Sequence, residues 1–262
     1  IRKHRHDLGR ILAEEQAKTH PLAQVEVDFT ADYFDYYAGW ARIYEGEIIQ
    51  SDRPRENILL YRQPIGVVVG ICPWNFPFFV MARKVAPSLL VGCTAVIKPS
   101  SVAPATTMEF ARLVAQEVDL PAGVLNIITG GGGSMGEALA SSPQADMVSL
   151  TGSVEAGQRI IAASAENVTK VSLELGGKAP AIVCQDADLD LAVRAVTASR
   201  TIFSGQVCNC AERLYVHESI ADQFAEKLAV AFNNVRLGNP FDDPAPDMCS
   251  QISAEHLEKI EA

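Results

Sequence analysis

Cys208 stands in Ser204-Gly205-Gln206-Val207-Cys208-Asn209-Cys210, a thiol set between a Gly-Gln turn and small polar neighbours. Most intracellular cysteines are buried and inert, and two upstream segments set this one apart. Pro73-Trp74-Asn75-Phe76-Pro77 offers a side-chain amide, and Leu173-Glu174-Leu175-Gly176-Gly177-Lys178 offers a carboxylate beside a glycine pair. A nucleophile, an oxyanion donor and a base are the three parts that covalent catalysis at a carbonyl requires. Cys208, Asn75 and Glu174 are therefore the candidate catalytic residues.

Other segments imitate known sites. Gly131-Gly132-Gly133-Ser134-Met135-Gly136 satisfies both G-x-G-x-x-G and, from Gly132, the G-x-S-x-G nucleophile elbow. As an elbow, Ser134 needs a downstream acid and then a histidine, and neither His217 nor His256 sits in a recognisable catalytic setting. As a dinucleotide fingerprint it falls on the third strand rather than the first, although Glu155 lies at about the right distance for a ribose acid. The plain reading is a strand-to-helix turn whose amides can border a phosphate. A P-loop is excluded, because Glu137 stands where lysine is required. Gly152-Ser153-Val154-Glu155 also joins a strand to a helix, where free amides and the helix dipole hold a pyrophosphate and Ser153 adds a hydroxyl. Lys98 ends a strand in Ile97-Lys98-Pro99-Ser100-Ser101. It is either a solvated surface lysine or, beside a nucleotide, a donor to ribose hydroxyls. Cys208 and Cys210 could begin a metal site, but no further Cys or His pair completes four ligands and no metal is expected.

These residues need elements to hold them. The first 44 residues read as helix, with Leu8, Ile11 and Leu12 and then Phe29, Tyr33, Phe34, Tyr37 and Trp40 at three- and four-residue spacing, a stripe expected in the core. Glu47–Ser51 and Ile58–Arg62 flank a turn-rich segment and read as a projecting β-hairpin. From Gly66 the apolar strands Val67–Cys72, Ala95–Lys98, Val124–Thr129, Met147–Thr151 and Val171–Leu175 alternate with helix-length amphipathic segments. Repeated β-α units imply an α/β fold with a doubly wound parallel sheet. Ala181–Cys184, a helix announced by Asp186 and Asp188 as caps, Arg213–Val216 and a helix from Glu218 continue the pattern. Open sheets of this type bind ligands beyond the carboxyl ends of their strands, and Pro73-Trp74-Asn75, Lys98 and Thr151-Gly152-Ser153 all follow strands.

The 262 residues suffice for one large domain or two smaller ones, and 48% hydrophobic content is enough for a core. A net charge of −10 with no Lys/Arg run argues against nucleic acid. No apolar stretch approaches the roughly 20 residues of a membrane span, and no secretory leader is visible. The six cysteines have no framework spacing, so a reducing cytoplasm is the expected location.

Taken together, Pro73–Pro77, Lys98-Pro99-Ser100, Thr151-Gly152-Ser153, Leu173–Lys178 and Gly205–Cys208 resemble the aldehyde dehydrogenase superfamily in order and spacing. Tyr44–Pro54 and Cys208–Arg213 resemble its bacterial lactaldehyde/glycolaldehyde branch most closely. The resemblance implies a Rossmann-like NAD(P)-binding domain (1–45 and 65–175), an oligomerisation hairpin (46–64) and the first part of a second α/β catalytic domain (176–262). It implies that the Cys208 thiolate adds to an aldehyde, that Asn75 and the Cys208 N–H hold the oxyanion, and that hydride leaves for a nicotinamide. Water activated by Glu174 then releases the acid, whereas members that pass the acyl group to coenzyme A usually lack this carboxylate. Ile71, Pro73, Trp74, Lys98, Ser100, Ser101, Gly131, Gly152, Ser153 and Leu175 are the implied cofactor contacts, and Phe79, Arg83 and Asn209 the substrate contacts.

Relatives that prefer NAD commonly carry Glu three residues after the adenosine-side lysine. Ser101 stands there, so NADP is expected to be tolerated or preferred. The expected substrate is a short, hydroxylated aldehyde, and the expected full-length assembly is a homodimer or homotetramer. The resemblance further implies an internal fragment, about half of a typical member, with little dehydrogenase activity by itself. The alternative is a remnant with thiol esterase activity or none.

Overall fold

A computed structural model describes residues 1–261. The chain divides into two compact units: Ile1–Lys3 with Val27–Glu174, and His4–Glu26 with the chain from Leu175 onward. The elements in order are α1 (Arg5–Gln16), α2 (His20–Gly39), β1 (Glu47–Gln50), β2 (Asn57–Leu60), β3 (Val67–Ile71), α3 (Pro77–Leu90), β4 (Thr94–Lys98), α4 (Ala105–Glu117), β5 (Leu125–Ile127), α5 (Glu137–Ala140), β6 (Met147–Gly152), α6 (Val154–Ser164), β7 (Lys170–Leu175), β8 (Pro180–Val183), α7 (Leu189–Thr201), β9 (Arg213–Val216), α8 (Ala221–Asn233) and α9 (Ala254–Glu261).

The first unit is built on a five-stranded sheet in the order β5-β4-β3-β6-β7, the doubly wound α/β architecture that the strand pattern predicts. β3 pairs in parallel with β4 and with β6, and β4 with β5. Strands covered on both faces are apolar throughout, and Val68, Val69, Ala95, Ile97 and Val148 are all buried. After β5 the chain crosses to the other side of β3, so β3 and β6 flank a topological switch point. α3 opens on Pro77, whose missing N–H costs nothing in a first turn, and buries Phe78, Met81, Ala82 and Val85. Gly70 permits close packing: a Cβ there would lie 2.5 Å from Ile97 Cδ1 and 3.0 Å from Lys84 Cδ.

The hairpin forms as expected, with β1 antiparallel to β2 and Glu47 opposite Leu60. All eight strand residues are exposed, Ile48 by 81%. The aromatic stripe of α2 departs from expectation. Phe29 and Trp40 are exposed, and Tyr33, Phe34 and Tyr37 only half-buried. Ala23, Val27, Thr30 and Ala31 take the buried side, because their i, i+4, i+7, i+8 spacing makes a stripe of small residues. The aromatics pack beside it, Phe34 stacking on Phe110 and Tyr33 edge-on to Phe79.

In the second unit β8 and β9 run parallel, Pro180 opposite Arg213 and Val183 opposite Val216. Asp188 caps α7 by accepting from the Leu191 N–H at 3.0 Å. Val183, Val193, Val196, Phe224 and Leu228 form the core between this pair and α7 and α8.

Candidate active site

The carboxyl ends of the central strands lie level in the first unit. Ile71 is in register with Lys98 on one side and with Leu150 on the other. Lys98 and Gly152 end β4 and β6, Pro73, Trp74, Ser100, Ser101 and Ser153 come just after β3, β4 and β6, and Gly131 follows the edge strand β5, so all lie toward the carboxyl ends of the sheet. A groove of about 230 Å³ opens there, lined by Ile71, Gly132, Gly133, Leu150, Ser153 and Arg159 among others; of the ten implied cofactor contacts it brings together Ile71 and Ser153, and the other eight do not line it. Its position is the switch point between β3 and β6, where open α/β sheets bind nucleotides.

The groove offers open backbone and a helix N-terminus of the kind that suits a phosphate, while its one guanidinium, Arg159, is shared between Glu155 and Glu137. A Cβ at Gly132 would meet nothing within 4 Å, and one at Gly133 only Arg159 Nη1 at 3.8 Å. Glycine there keeps backbone open instead of making room for a protein neighbour. Ser153 caps α6, its Oγ accepting from the Ala156 N–H at 3.1 Å, so its hydroxyl hydrogen can turn outward while the cap holds. The helix N-terminus beneath favours an anion. Arg159 ion-pairs with Glu155 at 3.0 Å, so the acid weighed as a ribose ligand lines the groove already partnered.

Lys98 is not a solvated surface lysine. It is 2% exposed, its Nζ donates to the Pro99 carbonyl at 3.0 Å, and burial holds its pKa below the ordinary lysine range. Ser100 Oγ accepts from the Val102 N–H, closing the following turn, and Ser101 is exposed on it.

Asn75 is half-buried, and its Oδ1 accepts from the Phe76 N–H at 3.0 Å. That bond fixes the amide's orientation, turning the NH2 the other way as a donor. Phe79 and Arg83 lie one turn apart on α3, away from the groove. Phe79 packs against Phe29 and Tyr33, with centroids 6.3 and 5.6 Å away. Tyr33, pushed up to about 12 mainly by burial, also interacts with Tyr37 and Arg83. A wall of Phe29, Tyr33, Tyr37 and Phe79 with one guanidinium results.

Glu174 is exposed near the end of β7, and Leu175 is that strand's last residue. Lys84, missed by sequence reasoning, is 5% exposed and interacts electrostatically with Glu174. Its Nζ donates to Ser149 Oγ at 3.0 Å and Thr151 Oγ1 at 3.1 Å. The signal for it was present: Pro77, Met81, Lys84 and Ser88 share one helical stripe, and a charge on a buried stripe needs a partner.

The second unit holds Cys208 and Asn209, both exposed, while Cys210 is buried with its thiol pKa pushed up chiefly by burial. The turn before them is left-handed at three successive residues: Phe203 (φ 45°), Ser204 (φ 55°) and Gly205 (φ 76°). Left-handed backbone costs a non-glycine residue about 1–2 kcal/mol, so Phe203 and Ser204 need clamps. Ser204 Oγ donates to the Cys249 carbonyl at 2.8 Å and accepts from the Cys249 N–H at 3.2 Å. Gln206 donates from Nε2 to the Phe203 carbonyl at 3.1 Å and accepts at Oε1 from the Ile252 N–H at 2.9 Å. Gln206 thus spans the turn two residues before the thiol.

Comparison with known proteins decides the family, since the Aldehyde dehydrogenase family matches residues 1–262. The chain belongs to the aldehyde dehydrogenase family. It is 55% identical to lactaldehyde dehydrogenase of Escherichia coli (strain K12), over all of this chain and 54% of that protein. A crystal structure of lactaldehyde dehydrogenase from Escherichia coli superimposes with a TM-score of 0.97, covering 99% of this chain and 54% of that one. A structure of 3,6-anhydro-L-galactose dehydrogenase in complex with NAP is 43% identical with a TM-score of 0.94, over 99% of this chain and 54% of that one. D-glyceraldehyde dehydrogenase (NADP(+)) of Thermoplasma acidophilum is 41% identical over 92% of this chain and 48% of that protein. The chain thus spans about half the length of the curated relatives it matches. Among the described residues no cluster of three metal-ligating side chains occurs, and no helix is long and apolar enough to cross a membrane.

Proposed function

We propose that this chain carries the catalytic thiol, the deacylating base and the nucleotide groove of a hydrolytic aldehyde dehydrogenase acting on a short hydroxylated aldehyde. The observation that carries this reading is Cys208, exposed beyond a clamped left-handed turn in a member of this family. Cys208 Sγ adds to the aldehyde carbon, and the carbonyl oxygen takes the negative charge. The Asn75 amide, oriented by the Phe76 N–H, and the Cys208 N–H donate to that oxygen. A nicotinamide dinucleotide, when bound, supplies the hydride acceptor. The thiohemiacetal carbon loses hydride and becomes a thioester. Glu174 takes a proton from water, the hydroxide attacks the thioester, and the carboxylic acid leaves as the thiol is restored.

Pro73, Trp74, Ile71, Lys98, Ser100, Ser101, Gly131, Gly152, Ser153 and Leu175 are proposed to hold the cofactor, with Phe79, Arg83 and Asn209 facing the substrate. Ser101 puts no carboxylate beside Lys98, which supports NADP as well as NAD. The names of the lactaldehyde and D-glyceraldehyde relatives support a hydroxylated aldehyde. The exposed apolar hairpin β1–β2 supports a homo-oligomer in which it is covered.

The test is turnover of lactaldehyde, glycolaldehyde and hexanal with NAD and with NADP, followed at the reduced nicotinamide band in the full-length protein. The expected result is a preference for the hydroxylated aldehydes, use of NADP at least as good as NAD, and loss of activity in Cys208→Ser. Equal activity in Cys208→Ser refutes the assignment of the nucleophile.

A further inference from the structure

Lys18 has no place in the reaction above, yet it is 0% exposed. Its Nζ lies 2.5 Å from Glu26 Oε2, and both side chains are wholly removed from solvent. Removing an ion pair from water costs more than the pairing ordinarily returns, and an apolar pair of the same volume would often be more stable. Such a pair calls for a second role, and its surroundings supply one. The same Nζ sits 4.5 Å from the centroid of the Phe203 ring. Phe203 is 3% exposed and is the first of the three left-handed residues that lead into Cys208. Lys18, Glu26, Phe203 and Cys208 all belong to the second unit, which draws His4–Glu26 from the far end of the chain.

Cys249 and Ile252 clamp this turn, and Gln251 adds a third contact, its Nε2 donating to the Ser204 carbonyl at 3.2 Å. They act on Ser204 and Gln206, and they leave the Phe203 ring to be fixed by what it packs against. A desolvated ammonium over a ring face is a directional contact, because the ring's negative face attracts the cation only from above or below. A leucine in that place would fill the volume without fixing the ring's plane. Glu26, by fixing the ammonium, fixes the ring in turn.

We infer that Lys18, held by Glu26, is a positioning residue: through the Phe203 ring it keeps the turn Phe203–Gly205 in the conformation that presents Cys208 for attack. This rests on Cys208 being the nucleophile of the proposed reaction. When the contact is lost, the presenting conformer becomes one of several, and Cys208 reactivity falls with its population.

The test is the alkylation rate of each cysteine by iodoacetamide at pH 7.5 in the full-length protein, read peptide by peptide. Exposed Cys184 is the reference, and buried Cys210 reports intact folding. Lys18→Met with Glu26→Gln removes both charges of the buried pair together, so neither is left in the core without the other, while the half-buried Glu15, which also acts on Lys18, is kept. The expected result is at least a fivefold fall in the Cys208 rate relative to Cys184, with Cys210 still protected. Phe203→Leu, which deletes the ring and keeps an apolar side chain, should give a similar fall. Combining all three substitutions should cost no more than either change alone, since they break one contact.

A Cys208 rate within twofold of wild type in either folded variant overturns the inference, and so do falls that multiply when the variants are combined. If the charge-pair variant does not fold, Phe203→Leu decides alone. A wild-type Cys208 no faster than Cys184 counts against the nucleophile of the proposed reaction. The positioning role is still decided by the ratio of variant to wild type.

Discussion

Raising the pH from 7 to 10 should stabilise the first unit through Lys84. Burial, the largest influence on this ammonium, brings its pKa down to about 8 from the ordinary 10.5, against the opposing effects of Cys72 and Glu174. Arg83 also lowers it. Between those two values the unfolded chain keeps the proton while the folded chain has released it, so stability increases with pH across that window. Below pH 8 both states are charged, and the folded state bears the full desolvation. The gap between about 8 and 10.5 corresponds to about 3 kcal/mol, of which about 2.5 kcal/mol is recovered between pH 7 and pH 10. Other groups titrate in the same range, so the measurement must be a difference. Lys84→Met keeps the straight stem and removes the charge, and loss of the bonds to Ser149 and Thr151 adds an offset that does not depend on pH. Burial holds the Cys72 thiol at about 11, so it stays protonated over most of the window.

Urea unfolding followed by the fluorescence of Trp40 and Trp74 at pH 7, 8, 9 and 10 gives the two stability curves. Wild type should gain on Lys84→Met by about 2–3 kcal/mol from pH 7 to pH 10, most of it above pH 8. Curves that stay parallel to within about 0.5 kcal/mol, near the error of extrapolation, would show that the folded protein does not lower this lysine's pKa.

Three further outcomes are expected. Glu174→Gln should still form the thioester, giving a burst of about one reduced cofactor per thiol and then turnover reduced about a hundredfold or more; an unchanged steady state would remove Glu174 from deacylation. Gly70→Ala should lower stability by about 1–3 kcal/mol in urea, because its Cβ would meet Ile97 Cδ1 at 2.5 Å in a central strand. Arg83→Ala should erase the preference for glycolaldehyde or lactaldehyde over hexanal, read as a ratio of kcat/KM, and a preserved ratio would move substrate recognition elsewhere.

The sheet was legible because its strands are buried on both faces and punctuated by glycine and proline. Val67–Ile71 and Thr94–Lys98 are the strands where this holds, apolar runs whose ends the residue types mark. The strand-to-helix turns were legible for a similar reason, since Ser153 and Asp188 are side chains that cap helices. The aromatic stripe of α2 misled, because a large apolar side chain signals burial only where the neighbouring element leaves room for it. In a helix packed closely on its neighbours the small residues go inward, and Ala23, Val27 and Ala31 do so.

Buried charge was the least legible feature. Lys18, Lys84 and Lys98 are each at most 5% exposed, and in a sequence a lysine ordinarily signals solvent. For two of them the partners are ones that only the fold assembles: Glu26 and the Phe203 ring for Lys18, and Ser149 and Thr151 for Lys84; Lys98 donates to the carbonyl of its own chain neighbour Pro99, and its burial comes from its place at the end of a central strand. Lys98 and Lys18 also lie where regular structure gives way to a loop, while Lys84 joins a helix to a strand. Lys98 ends β4, Lys84 in α3 donates to Ser149 and Thr151 of β6, and Lys18 lies against the turn that leads to Cys208. A buried ammonium is costly, so it persists where its directed hydrogen bonds or ring contact fix something that an apolar side chain would leave loose. The same cost makes each of them a sensitive target. Neutralising Lys18 or Lys98 should change how the adjoining loop is held more than it changes the fold, and Lys18 gives that expectation its sharpest test.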